Sequence, residues 1–297
     1  MGHVAGFLAR HSPLPRGRDR LALWAAALGA APEPIDFVRS DFGHTLQIDP
    51  EVFFYRHAYF TGVYEPGISR LLRAVLQAGD ICADVGANIG WHTLAMAAAV
   101  GEQGRVFAFE PVPKTFRLLK ANIARNGLDG VVAAENLAVS KGPGQAMVHV
   151  PGDAPLTHAS LSRPERVIDS FVVATVSLDH YLAERGFNHV DFIKIDVEGA
   201  EQLVLRGAHS LLSSFNPPSL VVEAAAATSE GFGYRPNDLL DQIAAANAYA
   251  FFIIHEATGR LTPLARFPES HVGANVLALP AARPQVMNRL LRANLAA

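Results

Sequence analysis

The stretch Ile81-Cys82-Ala83-Asp84-Val85-Gly86-Ala87-Asn88-Ile89-Gly90 reads as a short buried strand that breaks into a turn of small residues and then opens a helix. Its strand half is apolar on both faces, as at the centre of a parallel sheet. Gly86 and Gly90 permit positive φ angles or the close approach of a ligand to the backbone. The following ten residues, from Trp91 to Val100, are alanine-rich and helix-compatible, so their free N–H groups would point at whatever the turn holds. Such a turn suits a nucleotide-like ligand.

Its details narrow the choice. A dinucleotide fingerprint wants G-x-G-x-x-G, whereas this turn reads G-A-N-I-G with an acid two positions before the first glycine. A carboxylate at Asp84 repels phosphate and attracts an ammonium. S-adenosylmethionine carries an ammonium and a sulfonium and has no phosphate. A second acid, Glu110, follows the strand Arg105-Val106-Phe107-Ala108-Phe109 about 20 residues beyond the turn, where an acid accepts hydrogen bonds from ribose hydroxyls. Glu110 alone fits a nicotinamide dinucleotide equally well; the pair favours S-adenosylmethionine.

Outward from the turn, strands alternate with helices. Strands are expected at 81–85, 106–110, 131–136, 192–196, 220–223 and 251–255, and helices at 91–100, 114–126, 200–213 and 237–247. That rhythm implies an α/β fold of parallel strands joined by right-handed crossovers, with helices on both faces. Residues 146–150 and 171–176 read as extra strands around a polar loop. The last strand, 274–279, lacks a convincing preceding helix and is expected to be antiparallel. Upstream, 37–49 suggests a hairpin turning at Asp41-Phe42-Gly43, 52–64 is rich in aromatics, and 69–77 carries an apolar stripe at helical spacing.

The runs DVGANIGWHTLAMA, GRVFAFEPVPKTFRLLKANIARNG, NLAVS and DFIKIDVEGAEQLVLRGA, in that order, resemble the FkbM family of S-adenosylmethionine-dependent methyltransferases. The resemblance covers residues 64 to 223, and KIDVEGAE is its most specific block. It implies a Rossmann-like class I methyltransferase fold, S-adenosylmethionine as cofactor and methyl transfer to a hydroxyl of a sugar, polyketide or other secondary metabolite. The expected organisation is an N-terminal extension over 1–64, a methyltransferase domain over 65–283 and a C-terminal helix or tail over 284–297.

Asp84, Glu110, Asn136, Asp196 and Glu223 all fall at expected strand ends, where an open parallel sheet binds its ligands. Five polar tips on apolar strands are hard to explain by packing, because an unpaired buried carboxylate is costly. Asp84 would face the amino end of the cofactor and Glu110 its ribose. Gly86 and Gly90 would make room, with Asn88 between them and Thr93 on the following helix. Asn136, or its neighbours Leu137 and Ala138, would border the adenine, and Glu65 would close over the cofactor or pair with a surface arginine. Asp196 could touch both cofactor and acceptor. As the base for a hydroxyl acceptor, Asp196, Glu198 and Glu223 are the candidates. The competing reading is that Asp196 and Glu198 merely cap the helix that follows. By period two Lys194 shares a face with Asp196, and a pair between them would weaken Asp196 as a base. His92 and His158 are further base candidates, although a lone histidine in such a loop is more often a surface residue.

Asn216-Pro217-Pro218-Ser219 superficially resembles the Asn-Pro-Pro-aromatic motif of amino-group methyltransferases. It falls before a strand, away from the expected site, and has serine in place of the aromatic, so it reads as a helix stop. The formal net charge of −3 gives no general pull toward nucleic acid. No run approaches the ~20 apolar residues of a membrane-spanning helix. A metal could use Asp196 and Glu223, but nothing in the spacing demands one, and none is expected. Arg16, Arg18 and Arg20 before an apolar segment loosely imitate a signal peptide, yet Pro13 and Pro15 break the long polar stretch in front. With a single cysteine, Cys82, no intramolecular disulfide can form, and a cytoplasmic location is the natural reading. The segment 21–28 and the aromatic run are expected to pack over the cofactor side and to form a homodimer contact. An amine or RNA ribose acceptor, a non-catalytic cofactor-binding scaffold and a nicotinamide-linked oxidoreductase are the competing functions; Asp84 and the missing glycine pattern count against the last.

Overall fold

The computed structural model describes residues 36–48, 58–59, 61–151, 160–162, 166–270 and 273–296. The apolar segment 21–28, most of the aromatic run and His158 lie outside these residues.

In chain order the elements are β1 (Asp36–Arg39), β2 (Thr45–Ile48), α1 (Pro66–Val75), β3 (Ile81–Val85), α2 (Trp91–Val100), β4 (Arg105–Phe109), α3 (Pro113–Arg125) and β5 (Val132–Glu135). Then come β6 (Ala138–Val139), β7 (Gly144–Pro151), β8 (Val167–Val176), α4 (Leu178–Glu184), β9 (Phe192–Ile195), α5 (Glu201–Gly207), α6 (His209–Leu212) and β10 (Ser219–Ala225). The chain closes with α7 (Ala226–Ser229), α8 (Pro236–Ala246), β11 (Tyr249–Ile254), β12 (Leu261–Leu264), β13 (Gly273–Pro280) and α9 (Pro284–Arg292).

Eight strands form the central sheet in the order β12-β11-β13-β10-β9-β3-β4-β5. From β10 to β5 every pairing is parallel, whereas β13 runs antiparallel to both β10 and β11. This is the Rossmann-like class I methyltransferase arrangement, with the expected antiparallel last strand. The chain builds β3, β4 and β5 in one direction, then returns to place β9 on the other side of β3. The crevice between β3 and β9 is therefore the topological switch point.

Strict alternation along the central strands fills two cores. Cys82, Val106 and Ala108 face one side, with Leu71 of α1, Leu94 of α2, Leu119 of α3 and Leu290 of α9. Ala83, Phe107, Phe109 and Ile193 face the other, with Leu182 of α4, Val204 of α5, Leu212 of α6 and Leu239 of α8. Val38, Leu46 and Ile48 of the β1–β2 hairpin belong to the first core. The hairpin is also tied down by side chains: Asn122 of α3 and Asn126 just after it pair with the backbones of Gln47 and Thr45 as a neighbouring strand would, at 2.6–3.1 Å. A second sheet, β6-β8-β7, has a small core of Val112, Ala138, Val148 and Val173.

Several expectations change. The helix expected over 200–213 is broken at Ala208, because Gly207 lies against the Ser140 carbonyl and the Asp179 carboxylate accepts from the Ser210 and Leu211 amides. Helix α4, started by Ser177 accepting from the His180 amide, and edge strand β12 were not expected at all. The Asn216-Pro217-Pro218 segment precedes β10 at the end of the sheet remote from the switch point. There Arg283 donates to the Pro217 carbonyl at 2.7 Å and pairs with Asp191 at 2.8 Å. No helix among the described residues is long and apolar enough to cross a membrane.

Candidate active site

A cleft opens at the carboxyl ends of β3, β4, β9 and β10, walled by Asp84, Gly86, Asn88, Glu110, Asp196, Glu198 and Glu223, with Glu65 and Ala138 at its sides. Three of the four non-glycine residues with positive φ among the described residues line it: Glu65 (42°), Asn88 (51°) and Glu198 (54°). Each such conformation costs about 1–3 kcal/mol and persists only where its surroundings enforce it.

Asp84 is buried, and Thr93 Oγ1 donates to its Oδ2 at 2.6 Å. Its Oδ1 is buried with no partner among the described residues. A half-satisfied carboxylate in a cleft wall suits a ligand that brings a cationic donor, as the ammonium of S-adenosylmethionine does. Thr93 therefore fixes Asp84 from behind and does not line the cleft. Glu110 accepts from the Val112 amide through Oε1 (2.8 Å) and from the Asn88 amide through Oε2 (2.9 Å). It thus clasps the glycine turn while leaving lone pairs for ligand hydroxyls. Burial pushes its carboxyl up to about 7, against the pull of those two N–H donors.

Both turn glycines adopt the positive φ that the sequence allowed, 82° at Gly86 and 94° at Gly90, and each also has a protein neighbour that a side chain would strike. A Cβ on Gly86 would lie 1.8 Å from the Asp196 carbonyl oxygen, and one on Gly90 would lie 2.7 Å from the Leu119 side chain. They admit protein neighbours: Gly86 lets the β3 and β9 loops touch, and Gly90 seats α2 on α3. Asn136 also stands outside the cleft, its amide donating to the carbonyls of Glu110 and Pro111, while Leu137, Ala138 and Val139 line it.

Lys194 lies in register with Asp84 on the adjoining strand, is almost fully buried, and donates from Nζ to Asp196 Oδ2 at 2.8 Å. Burial disfavours its charge, but Asp196, Asp84 and Glu65 outweigh that and hold it above the ordinary lysine range. The pair expected from strand periodicity is present. Asp196 does not cap the next helix: Ala200 occupies that position without a side-chain cap, and Glu201 accepts from the Val197 and Gly199 amides instead. His92 is buried beside the cleft, with Nε2 on Glu65 Oε2 at 2.6 Å and Nδ1 without a partner among the described residues. Burial favours a neutral Glu65, but the His92 contact and Lys194 hold its carboxyl below the ordinary range.

Glu223 reaches the cleft from β10, with Oε2 buried and without a partner among the described residues. Burial first, then the neighbouring carboxylates of Asp196, Glu198 and Glu201, push it up to about 9, with Lys194 opposing. At neutral pH Glu223 is therefore an acid and not the base that the sequence allowed. The folded state keeps this proton where the unfolded chain, near 4.5, has lost it, so the group lowers stability as pH rises between about 4.5 and 9. Glu223→Gln should accordingly raise Tm relative to the parent more at pH 8.5 than at pH 5. A difference independent of pH in thermal melts would show that Glu223 titrates normally.

Sequence reading missed Tyr64 and Trp91, which line the cleft with their rings edge to face at 6.0 Å. Each adjoins a residue already singled out, Glu65 or Gly90, and that adjacency was the available signal. In the loop between β7 and β8, Ser160 and Leu161 line the cleft, and Ser160 Oγ donates to the Glu198 carbonyl at 2.7 Å. Among the described residues, no group of three or more His, Cys, Asp or Glu side chains is placed to hold a metal ion.

Residues 84–252, more than half of the sequence, match the family model described as the Methyltransferase FkbM domain. The chain belongs to the FkbM family of S-adenosylmethionine-dependent methyltransferases. Among relatives of this FkbM protein, the hexuronic acid methyltransferase AglP of Haloferax volcanii is 31% identical over 152 residues, 51% of this chain and 59% of its own. The 31-O-demethyl-FK506 methyltransferase FkbM of Streptomyces tacrolimicus is 30% identical over 161 residues, 44% of this chain and 60% of its own. The chain thus spans about three-fifths of the length of each of these two. Among solved structures, Aeropyrum pernix fibrillarin in complex with S-adenosylmethionine aligns with a TM-score of 0.44 at 13% identity, over 83% of this chain and 94% of its own.

Proposed function

We propose that this FkbM-family chain transfers a methyl group from S-adenosylmethionine to a hydroxyl of a small molecule, a sugar, polyketide or other secondary metabolite. The observation that carries this reading is the juxtaposition at the switch point. Asp84, with one oxygen unpartnered among the described residues, stands one strand from Asp196, which a buried lysine holds at the cleft wall. The name of the 31-O-demethyl-FK506 methyltransferase FkbM supports an oxygen acceptor.

When bound, the cofactor supplies an electrophilic methyl on a sulfonium. What remains for the protein is to bind, align and exclude water, and alignment alone is worth several orders of magnitude. Asp84 binds the cationic amino group, with Thr93 fixing its orientation. Glu110 and Asn88 hold the turn against the ribose, and Ala138 lies on the adenine side. Asp196 accepts the hydrogen bond of the acceptor hydroxyl, and Lys194 sets its direction. That pairing fixes the direction of the Asp196 carboxylate, so that it can orient the acceptor hydroxyl and take its proton as the methyl is transferred. An amine acceptor loses its one sequence argument, because Asn216-Pro217-Pro218 lies at the other end of the sheet. Cys82, buried in β3, is in keeping with a cytoplasmic enzyme.

The test is incubation with methyl-labelled S-adenosylmethionine and a panel of sugars, macrolides, amines and RNA, with the position of the label read by NMR. An O-methyl small molecule is expected. Label found solely on nitrogen or RNA would overturn the reading.

A further inference from the structure

Two buried carboxyl oxygens lining the cleft lack a partner among the described residues: Asp84 Oδ1 and Glu223 Oε2. The cofactor accounts for the first. The second lies on the far side of Asp196. Strand order across the cleft runs β4, β3, β9, β10, so Glu110, Asp84, Asp196 and Glu223 follow one another along it. Glu223 stands one residue beyond the Val222–Ile195 pair, level with Asp196. Whatever meets Asp196 from the side away from Asp84 therefore meets Glu223.

The chemistry of this end is specific. Lys194, the one lysine or arginine lining the cleft among the described residues, is already engaged by Asp196, and the His92 imidazole by Glu65. Asp196, Glu198 and Glu201 surround Glu223 with negative charge, opposed by Lys194, and burial adds to their effect. An acceptor carboxylate placed here would meet repulsion and no available counter-charge. An acceptor hydroxyl would satisfy an oxygen that is otherwise costly to bury.

We propose that Glu223 is the acceptor-recognising residue: its buried oxygen hydrogen-bonds a second, uncharged oxygen of the acceptor beside the hydroxyl that Asp196 orients, so that the acceptor is a neutral diol or polyol and not a uronate. This rests on the hydroxyl-methylating reading above. It also separates this chain from the hexuronic acid named for its archaeal relative.

The experiment uses the full chain saturated with S-adenosylhomocysteine and two probes of the same ring, methyl β-D-glucopyranoside and methyl β-D-glucuronide, compared by saturation-transfer NMR titration. The glucoside should bind at least about tenfold more tightly than the glucuronide. Glu223→Gln, which keeps a donor and the shape, should hold the glucoside to within about twofold, and Glu223→Leu should weaken it about fivefold to tenfold. Calorimetric affinity for S-adenosylhomocysteine should stay within about twofold in both variants. Equal binding of the two sugars, no binding of either, or an unaffected Glu223→Leu would overturn the proposal. Failure of the parent protein to bind S-adenosylhomocysteine would instead overturn the cofactor reading beneath it.

Discussion

Asp196→Asn should lower turnover by about 10²–10⁴-fold while changing cofactor affinity little. The carboxylate stands at the switch point beside Asp84, and its Oδ2 accepts from Lys194 at 2.8 Å. Asparagine keeps an acceptor for that lysine but loses the charge that lets the acceptor hydroxyl shed its proton. Lys194 is buried and would then rely on Asp84 and Glu65 as counter-charges. Removing the partner of a fully buried ion costs about 3–5 kcal/mol. Asp196 is about a third exposed and asparagine still accepts, so a loss of about 1–2 kcal/mol is expected. The alternative of a pure helix cap is already weakened, because Glu201 receives the amides at the start of α5. Turnover and melting temperature measured on one preparation separate the roles. A destabilised variant with full turnover would remove Asp196 from the chemistry.

Gly86→Ala should damage both stability and cofactor binding. Its φ is +82°, and a Cβ would stand 1.8 Å from the carbonyl oxygen of Asp196. Neither side can yield easily. The Gly86 and Ala87 amides both donate to the Phe109 carbonyl, at 3.0 and 2.9 Å, and the Asp196 amide donates to the Val85 carbonyl at 3.0 Å. A left-handed alanine costs about 1–2 kcal/mol, and overpacking a rigid site adds about 1–3 kcal/mol. A total near 3–4 kcal/mol corresponds to a Tm lower by about 6–16 °C in a domain of this size. Gly79 is the control: its φ is +87°, yet a Cβ there meets nothing within 4 Å. Gly79→Ala should show the conformational cost alone. Equal losses in thermal melts of the two variants would mean that the contact with Asp196 is not what requires glycine at 86.

What could be read without coordinates was local and periodic. The strand Ile81–Val85 and helix Trp91–Val100 have the expected bounds because small residues and a glycine turn mark both ends. The Lys194–Asp196 pair followed from strand alternation. The antiparallel direction of β13 followed from a missing crossover helix. What escaped reading depends on distant partners. Glycine is needed at 207 because the Ser140 carbonyl lies against it, and at 86 because of a backbone more than a hundred residues away. Thr93 and Asn136 were expected at the ligand, yet their polar atoms are spent on Asp84 and on the Glu110–Pro111 carbonyls. The upward push on the Glu223 carboxyl comes first from its burial and then from Asp196, Glu198 and Glu201, on a segment more than twenty residues earlier in the chain. No single window of sequence contains that sum.

The account stands most directly on Asp84, the carboxylate that Thr93 holds by one oxygen and nothing described holds by the other. Titration calorimetry with S-adenosylhomocysteine is the deciding measurement, run on the parent protein and on Asp84→Asn with NAD as the competing ligand. Saturable binding to the parent, about 10–100-fold weaker in the variant through loss of a charge-assisted hydrogen bond, and no binding of NAD are the predicted results. Tight NAD binding without a response to S-adenosylhomocysteine, or identical affinity in the two proteins, would contradict the account.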